Sequence, residues 1–310
     1  MKSIFKVLSV LAAGALMIAC SEKEGPTKPT DDEKQEEQGG QQGGTTVSKT
    51  VKLTAMSFNI KYPASDDENE KAWENRKVGV VEMLKTKKPD LVGLQECYIS
   101  QRSYIIENLP HYDCYGLVKT SGKDSGSGET MSILWNKEKF EKLECGTFWL
   151  TEKDITTPNK GWGAANTRNC TWILFKDKET GKKFYHFNTH LDHQVEAAQR
   201  GGASLIRQQM KAMNTNRYPV VLTGDMNVED SRGKDNFLVE LFEMKNARKE
   251  SGSDDYGITC HGYSSSKTQV IDYVFYEGME PWYFQTVKGP WAGFTYISDH
   301  NPVMSELRFK

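Results

Sequence analysis

Two spacings of apolar residues alternate along this chain. Leu53-Thr54-Ala55-Met56-Ser57-Phe58-Asn59, Asp90-Leu91-Val92-Gly93-Leu94-Gln95-Glu96 and Pro219-Val220-Val221-Leu222-Thr223 are short, dense apolar runs, as expected of buried strands. Further strands are predicted at Tyr112–Val118, Met131–Trp135, Phe140–Leu150, Asn169–Phe175, Phe184–Thr189, Val270–Tyr276 and Val303–Phe309. Helical spacing marks Trp73–Lys87, where Val78, Val81, Met83 and Leu84 share a face and Pro89 closes the segment. Shorter helices are predicted at Gln101–Leu109 and near Asn236–Asn246, and a long one at Gln194–Asn214 interrupted by Gly201-Gly202. Helices alternate with strands early, whereas strands follow one another through the middle. That order predicts an α/β (α+β) fold with mixed sheets rather than a repeating βαβ array.

The first residues stand outside this pattern. Lys2 and Lys6 precede the apolar run Val7–Ile18, then Ala19 and Cys20, the layout of an export signal. The run is too short to span a membrane. Leu16-Met17-Ile18-Ala19-Cys20 resembles a bacterial lipobox, which implies a lipid on Cys20 and an envelope protein anchored at the outer membrane or cell surface. An ordinary cleaved signal with an incidental cysteine is the alternative. Residues 21–49 are rich in Glu, Gln, Gly, Thr and Pro and form a tether, because they cannot bury enough surface to offset chain entropy. The domains expected are therefore a signal over 1–20, a tether over 21–49 and one large domain over 50–310.

Residues 50–310 carry 34 basic and 35 acidic residues, against 40 and 42 in the whole chain. This near-neutral balance argues against a protein that grips long nucleic acid through many phosphates, while leaving a nuclease of short substrates open. Cys97, Cys114, Cys145, Cys170 and Cys260 show no CxxC pair, and read as buried small residues or one or two disulfides.

Polar residues at the ends of the apolar runs carry the candidate chemistry. Glu96 leaves a buried strand and is a hard oxygen ligand suited to Mg²⁺, or else a surface glutamate. In Gly224-Asp225-Met226-Asn227, alternation puts Asp225 and Asn227 on one side, where they can orient and polarise a water; a simple Asx turn is the alternative. His300 beside Asp299 is a base, a donor to phosphate or a core histidine. Asp272 is a charge in an apolar strand and needs a partner, and pairing with His300 accounts for both. His190 ends another strand, with His193 a bystander on the following helix.

Ser57-Phe58-Asn59-Ile60, Leu94-Gln95-Glu96, Asn188-Thr189-His190, Gly224-Asp225-Met226-Asn227, Ile271-Asp272-Tyr273 and Ser298-Asp299-His300, in that order, resemble the endonuclease/exonuclease/phosphatase superfamily with its DNase I-like fold. The resemblance implies a four-layer sandwich of two mixed β-sheets flanked by helices. It also implies a hydrolase of phosphate esters that uses Mg²⁺ or Mn²⁺. By position, Glu96 binds the metal with Asn59 and Asp299 close by, and Asp225 and Asn227 orient the nucleophile. His190 and His300 contact the scissile phosphate, Asp272 holds His300, and Arg168 and Asn59 face the substrate. Glu129 matches a carboxylate that orients the first histidine. Phe148-Trp149-Leu150-Thr151-Glu152, Gly161-Trp162-Gly163-Ala164-Ala165 and Cys170-Thr171-Trp172 look like a branch of secreted or envelope-associated bacterial members, similar in turn to the deadenylase-like side of the superfamily.

The substrate stays open among short nucleic acid, a lipid head group and a small sugar or nucleotide phosphate. Trp149, Trp162 and Trp291 are candidates for a stacking wall or for core packing. Phe294-Thr295-Tyr296-Ile297 is the candidate apolar loop for entering a bilayer, as sphingomyelinase-like action would require. A non-catalytic surface lipoprotein that binds a glycan or partner in the same cleft is the rival from another class. No protein partner is indicated.

Overall fold

The computed structural model describes residues 50–309, apart from 231–235, 254 and 256. The expected signal and tether lie outside the described residues. The first sheet contains β1 (Val51–Asn59), β2 (Leu91–Gln95), β4 (Tyr112–Tyr115), β6 (Ile133–Asn136), β13 (Glu280–Thr286) and β14 (Val303–Phe309). Its order is β13-β14-β1-β2-β6-β4. The second contains β7 (Phe140–Trp149), β8 (Asn169–Asp177), β9 (Lys183–His190), β10 (Val220–Asp225), β11 (Lys245–Asn246) and β12 (Asp272–Glu277), ordered β11-β12-β10-β9-β8-β7. A small ribbon joins β3 (Cys97–Tyr98) to β5 (Glu129–Thr130). The helices are α1 (Trp73–Lys87), α2 (Ile99–Asn108), α3 (Glu196–Met213), α4 (Phe237–Phe242) and α5 (Ala247–Glu250).

Three apolar layers follow from the strand pattern. Leu53, Ala55, Leu91 and Ile133 of the first sheet meet Ile173, Phe175, Val221 and Val274 of the second in the central core. The outer face of the first sheet packs Met56, Phe58 and Leu94 against Val80, Leu84 and Ile105 of α1 and α2. The outer face of the second packs Phe187, Leu222 and Phe275 against Ile206, Leu238 and Phe242 of α3 and α4. Strands buried on both faces must be apolar at successive positions, hence the unbroken runs. The result is the expected four-layer sandwich of two mixed sheets.

Each sheet has one parallel pair at its centre, β1 with β2 and β9 with β10, flanked by antiparallel neighbours. The carboxyl ends of both pairs lie at one rim, carrying Asn59, Gln95, His190 and Asp225. A polar contact holds the sheets together beneath that rim. Asn188 Nδ2 donates to the Leu94 and Ser132 carbonyls of the first sheet side (2.8 and 3.1 Å). Gln95 Nε2 donates to Asn188 Oδ1 at 2.7 Å, and Thr223 Oγ1 reaches the same oxygen at 3.1 Å. His186 Nε2 lies 2.9 Å from Thr223 Oγ1. Gly93 makes this approach possible, because a Cβ there would lie 2.0 Å from Thr223 Oγ1 and 2.5 Å from Asn188 Oδ1.

Several boundaries differ from the sequence expectation. The long helix runs through Gly201-Gly202 without a break. A Cβ at Gly201 would lie 2.4 Å from the Trp162 ring, and Gly202 sits against Leu150 and Leu191. Packing there outweighs the propensity cost of about 1 kcal/mol per glycine. The helix expected to Asn246 stops at Phe242, with Asn236 capping Leu238 N–H (3.0 Å) and Glu243 left-handed at φ 51°. β13 escaped the reading because Pro281 and a register shift interrupt its alternation, and both are tolerated on an edge strand. The five cysteines of the described residues are all free thiols, so the disulfide alternative falls.

Two measurements check this interior. Gly93→Ala is expected to destabilise the fold by on the order of 2 kcal/mol through overpacking, read as a lower urea midpoint at unchanged slope. His186 is buried, and burial pushes its imidazole down to about 3. A histidine depressed below its unfolded value near 6.5 contributes stability above that pH, and the contribution is lost as pH falls toward 3. By pH 5 the loss is about 2 kcal/mol. His186→Gln is expected to flatten the decline between pH 7 and 5, and parallel curves would rule His186 out as its source.

Candidate active site

Asn59 closes β1 and sends its Nδ2 to two carboxylates, Glu96 Oε1 at 3.1 Å and Asp225 Oδ2 at 3.0 Å. One amide thus ties the first sheet to the second. Its Oδ1 accepts from Lys61 N–H at 3.0 Å, and Ser298 Oγ donates to its carbonyl at 2.7 Å. The second bond draws the Ser298-Asp299-His300 segment against the end of β1. Glu96 and Asn227 both lie in the left-handed region, at φ 56° and 50°. Such backbone is uncommon for residues with a Cβ and collects at functional sites.

Asp225 is the centre of the cluster. Its Oδ1 accepts from Asn227 N–H at 3.0 Å, which is the Asx turn considered from the sequence. Its Oδ2 lies 3.5 Å from His190 Nε2 and 3.8 Å from His300 Nε2. Asn227 Nδ2 donates to the Leu191 carbonyl at 3.1 Å. Asp272 begins β12 directly opposite Asp225, and its Oδ2 pairs with His300 Nδ1 at 2.8 Å. The expected pairing of Asp272 with His300 is therefore present.

The charges of these groups follow from burial and neighbours. Burial first, then the Asp272 charge, push the Asp225 carboxyl up to about 7. His300 is also buried, which alone would lower it. The charge and hydrogen bond of Asp272 overcome that and hold it well above the usual histidine range. Burial together with Arg168 and Lys119 keeps His190 well below that range, and hence neutral. Glu96 is raised by burial, then by Asp299 and Glu129.

A second cluster stands at the start of β8. Arg168 is buried, with Nη2 3.3 Å from His193 Nδ1 and Nε 3.9 Å from Asp192 Oδ2. Burial lowers its guanidinium, and the nearby carboxylates of Glu129, Asp225, Asp192 and Glu96 oppose that shift. Glu129 pairs with Lys119 at 2.7 Å and does not orient His190, whose Nδ1 is buried without a partner. His193 precedes α3 and contacts Arg168, so it is not the bystander expected. Lys119 and Asp192 were missed by the sequence reading. Lys119 sits in a loop rather than at a strand end, and Asp192 reads as an ordinary turn acid receiving Gln194 and Val195 N–H.

The tryptophan wall is not formed. Trp149 is buried and donates to the Lys119 carbonyl at 2.7 Å. Trp162 packs over Gly201 in the outer core of the second sheet, and Trp291 packs into the outer core of the first. The Phe294–Ile297 loop is not a free apolar edge either, since Ile297 is buried and Phe294 packs into the same core as Trp291.

Carboxylates and histidines from both sheets thus converge at one rim of the two-sheet sandwich, the rim that carries the carboxyl ends of its parallel strands. The endonuclease/exonuclease/phosphatase family model matches residues 56–300, and the chain belongs to this family, whose members are hydrolases acting on phosphate esters. It is similar to an endonuclease/exonuclease/phosphatase of Bacteroides vulgatus at 31% identity and TM-score 0.76, covering 84% of this chain and 100% of that one. A mannosyl-6-phosphatase of Bacteroides thetaiotaomicron is 29% identical with TM-score 0.74, covering 82% and 99%. The human Nocturnin catalytic domain shares the fold at 18% identity and TM-score 0.66, covering 84% and 97%. An uncharacterised protein of Acanthamoeba polyphaga mimivirus is 28% identical over 165 residues, a match spanning 51% of this chain and 60% of the viral protein.

The Asp272–His300 pair permits a direct test. Asp272→Ala strands a buried imidazolium and is expected to lower stability by about 3 kcal/mol. Asp272→Ala combined with His300→Ala is expected to lose less than the sum of the single changes, measured by a double-mutant cycle in urea. Strict additivity would show the pair to be uncoupled.

Proposed function

We propose that this chain is a metal-dependent phosphoesterase that hydrolyses phosphate esters by in-line attack of water. The observation that carries the reading is the Asn59 amide joining Glu96 to Asp225, with the Asp272–His300 pair beside them. Four carboxylates, those of Glu96, Asp299, Asp225 and Asp272, gather at one rim, and Asp272 Oδ1 is buried without a partner. Hard carboxylate oxygens suit Mg²⁺ or Mn²⁺, and Asp225, Asp272 and His300 also lie close enough together to share a metal ion. Glu96 and Asp299 would hold the cation, with Asn59 beside them, and it would supply neutralisation of charge on the phosphate oxygens.

The remaining chemistry belongs to the side chains. Asp225, its carboxyl near neutrality, accepts a proton from the attacking water. The Asn227 backbone N–H and the Asn59 amide fix that carboxylate so that the water is oriented before reaction. His300, kept protonated by Asp272, donates from Nε2 to a phosphate oxygen, and neutral His190 and Arg168 serve the others.

Similarity to a mannosyl-6-phosphatase, and the near-neutral charge of residues 50–310, favour a small phosphomonoester over long nucleic acid. The lipobox-like segment ending at Cys20 and the polar residues 21–49 support a lipid-anchored enzyme of the secreted or envelope branch.

The test is hydrolysis of sugar phosphates, inositol phosphates, sphingomyelin, short RNA and plasmid DNA by purified protein with Mg²⁺, Mn²⁺ or EDTA. Turnover is expected with a divalent cation and not with EDTA, and Glu96→Ala should lower kcat by roughly 10²–10³. Full activity in EDTA, or in Glu96→Ala, would sink the assignment.

A further inference from the structure

We infer that Asn169 positions His190: its side-chain amide donates to His190 Nδ1 and so keeps the imidazole proton on Nε2, facing Asp225 and the phosphate. The inference rests on the phosphoesterase reading above and adds a residue to its machinery.

The strand register brings the two side chains together. Cys170 of β8 stands opposite Thr189 of β9, so one step nearer the rim Asn169 comes opposite His190. At that step Thr189 Oγ1 donates to the Asn169 carbonyl at 3.0 Å. Ile173 and Phe175 of β8 and Phe184 of β9 lie in the central core. Counting in twos from them, Asn169 and His190 both point into the space between the sheets. Side chains opposed in this way have Cβ atoms about 5 Å apart, a gap that an amide and an imidazole span with one hydrogen bond.

Neither group has another partner to turn to. Asn169 is 1% exposed, and its Oδ1 and Nδ2, like His190 Nδ1, are buried without a partner among the described residues. The nearest neighbours on that face are taken. Trp149 of β7 stands opposite Asn169 on the other side and gives its indole N–H to the Lys119 carbonyl at 2.7 Å. Thr171 Oγ1 lies 3.3 Å from Thr147 Oγ1, and Asn188 spends both ends of its amide in the contact between the sheets. Arg168 Nε, also without a hydrogen bond, lies 3.9 Å from Asp192 Oδ2. What remains is a buried amide beside an unpaired ring nitrogen, and leaving either one unpaired is unfavourable.

The direction of the bond follows from the other side of the ring. His190 Nε2 faces Asp225 Oδ2 at 3.5 Å. A carboxylate oxygen accepts, so the neutral ring carries its proton on Nε2 and presents a lone pair at Nδ1. That lone pair calls for a donor, which an amide supplies and a carboxylate does not. Glu129, the orienting group expected from the sequence, would draw the proton to Nδ1, and it is held by Lys119 instead. With the proton on Nε2, His190 donates to a phosphate oxygen as charge develops there. In the other tautomer a lone pair would face that oxygen.

The wild-type full chain is measured first, by long-range proton–nitrogen NMR correlation of the His190 ring, identified by its loss in His190→Ala. Nε2 is expected to carry the proton, and a neutral ring protonated on Nδ1 would overturn the inference. Kinetics follow with Mg²⁺ on whichever substrate of the panel is turned over fastest. Asn169→Leu, similar in volume but without a donor, is expected to release the tautomer and lower kcat on the order of tenfold, with KM little changed. In the His190→Ala background the same substitution should leave kcat where His190→Ala has put it, because Asn169 acts through the ring. An equal loss in both backgrounds would show a merely structural role and also overturn the inference. Should Asn169→Leu not fold, the wild-type ring spectrum still decides. Absence of turnover by wild type on every substrate overturns the phosphoesterase reading, while the spectrum judges Asn169 separately.

Discussion

Everything at the rim depends on how closely the two sheets approach beneath it, and that distance is set by polar groups rather than by apolar packing. Asn188 spans the gap, donating to carbonyls beside the first sheet and receiving Gln95 and Thr223. Buried amides without partners are unfavourable, so the contact forms in full or the sheets part. Gly93 is the complementary constraint, since any side chain there would occupy the space that Asn188 and Thr223 use. With the sheets locked at this level, Gln95 and Asn188 fix the residues one or two steps further along, Glu96 and His190.

The site above that lock is built by sharing partners. A single Asn59 amide serves two carboxylates from different sheets, and a single Asp225 oxygen faces Asn59 and two histidines. Neighbouring histidines nevertheless take different protonation states, because their other neighbours differ. His300 has Asp272 in contact and stays protonated, whereas His190 is buried beside the positive charges of Arg168 and Lys119 and stays neutral. One fold edge therefore offers a charged donor and a neutral one within reach of the same carboxylate.

Most of the fold and the core of the site were legible in order along the chain. Buried strands announce themselves as short apolar runs, and a polar residue that ends such a run stands at a rim. That logic located Asn59, Glu96, His190 and Asp225, and the need of a buried charge for a partner paired Asp272 with His300. It failed where a residue's meaning depends on something distant. Gly201-Gly202 read as a break, yet the Trp162 ring fills the space and the helix continues. Glu129 read as the support of His190, yet Lys119 claims it.

By itself, then, the sequence determined the strand and helix content, the layered class, and which strand ends carry carboxylates, amides and histidines, because period and burial are local properties of the pattern. Only the tertiary structure decided which of those groups share a partner and which histidine is charged. Those outcomes depend on distances between segments far apart in the chain, and hydrogen bonds and ionisation respond to separations of a few ångströms that no spacing along the sequence encodes.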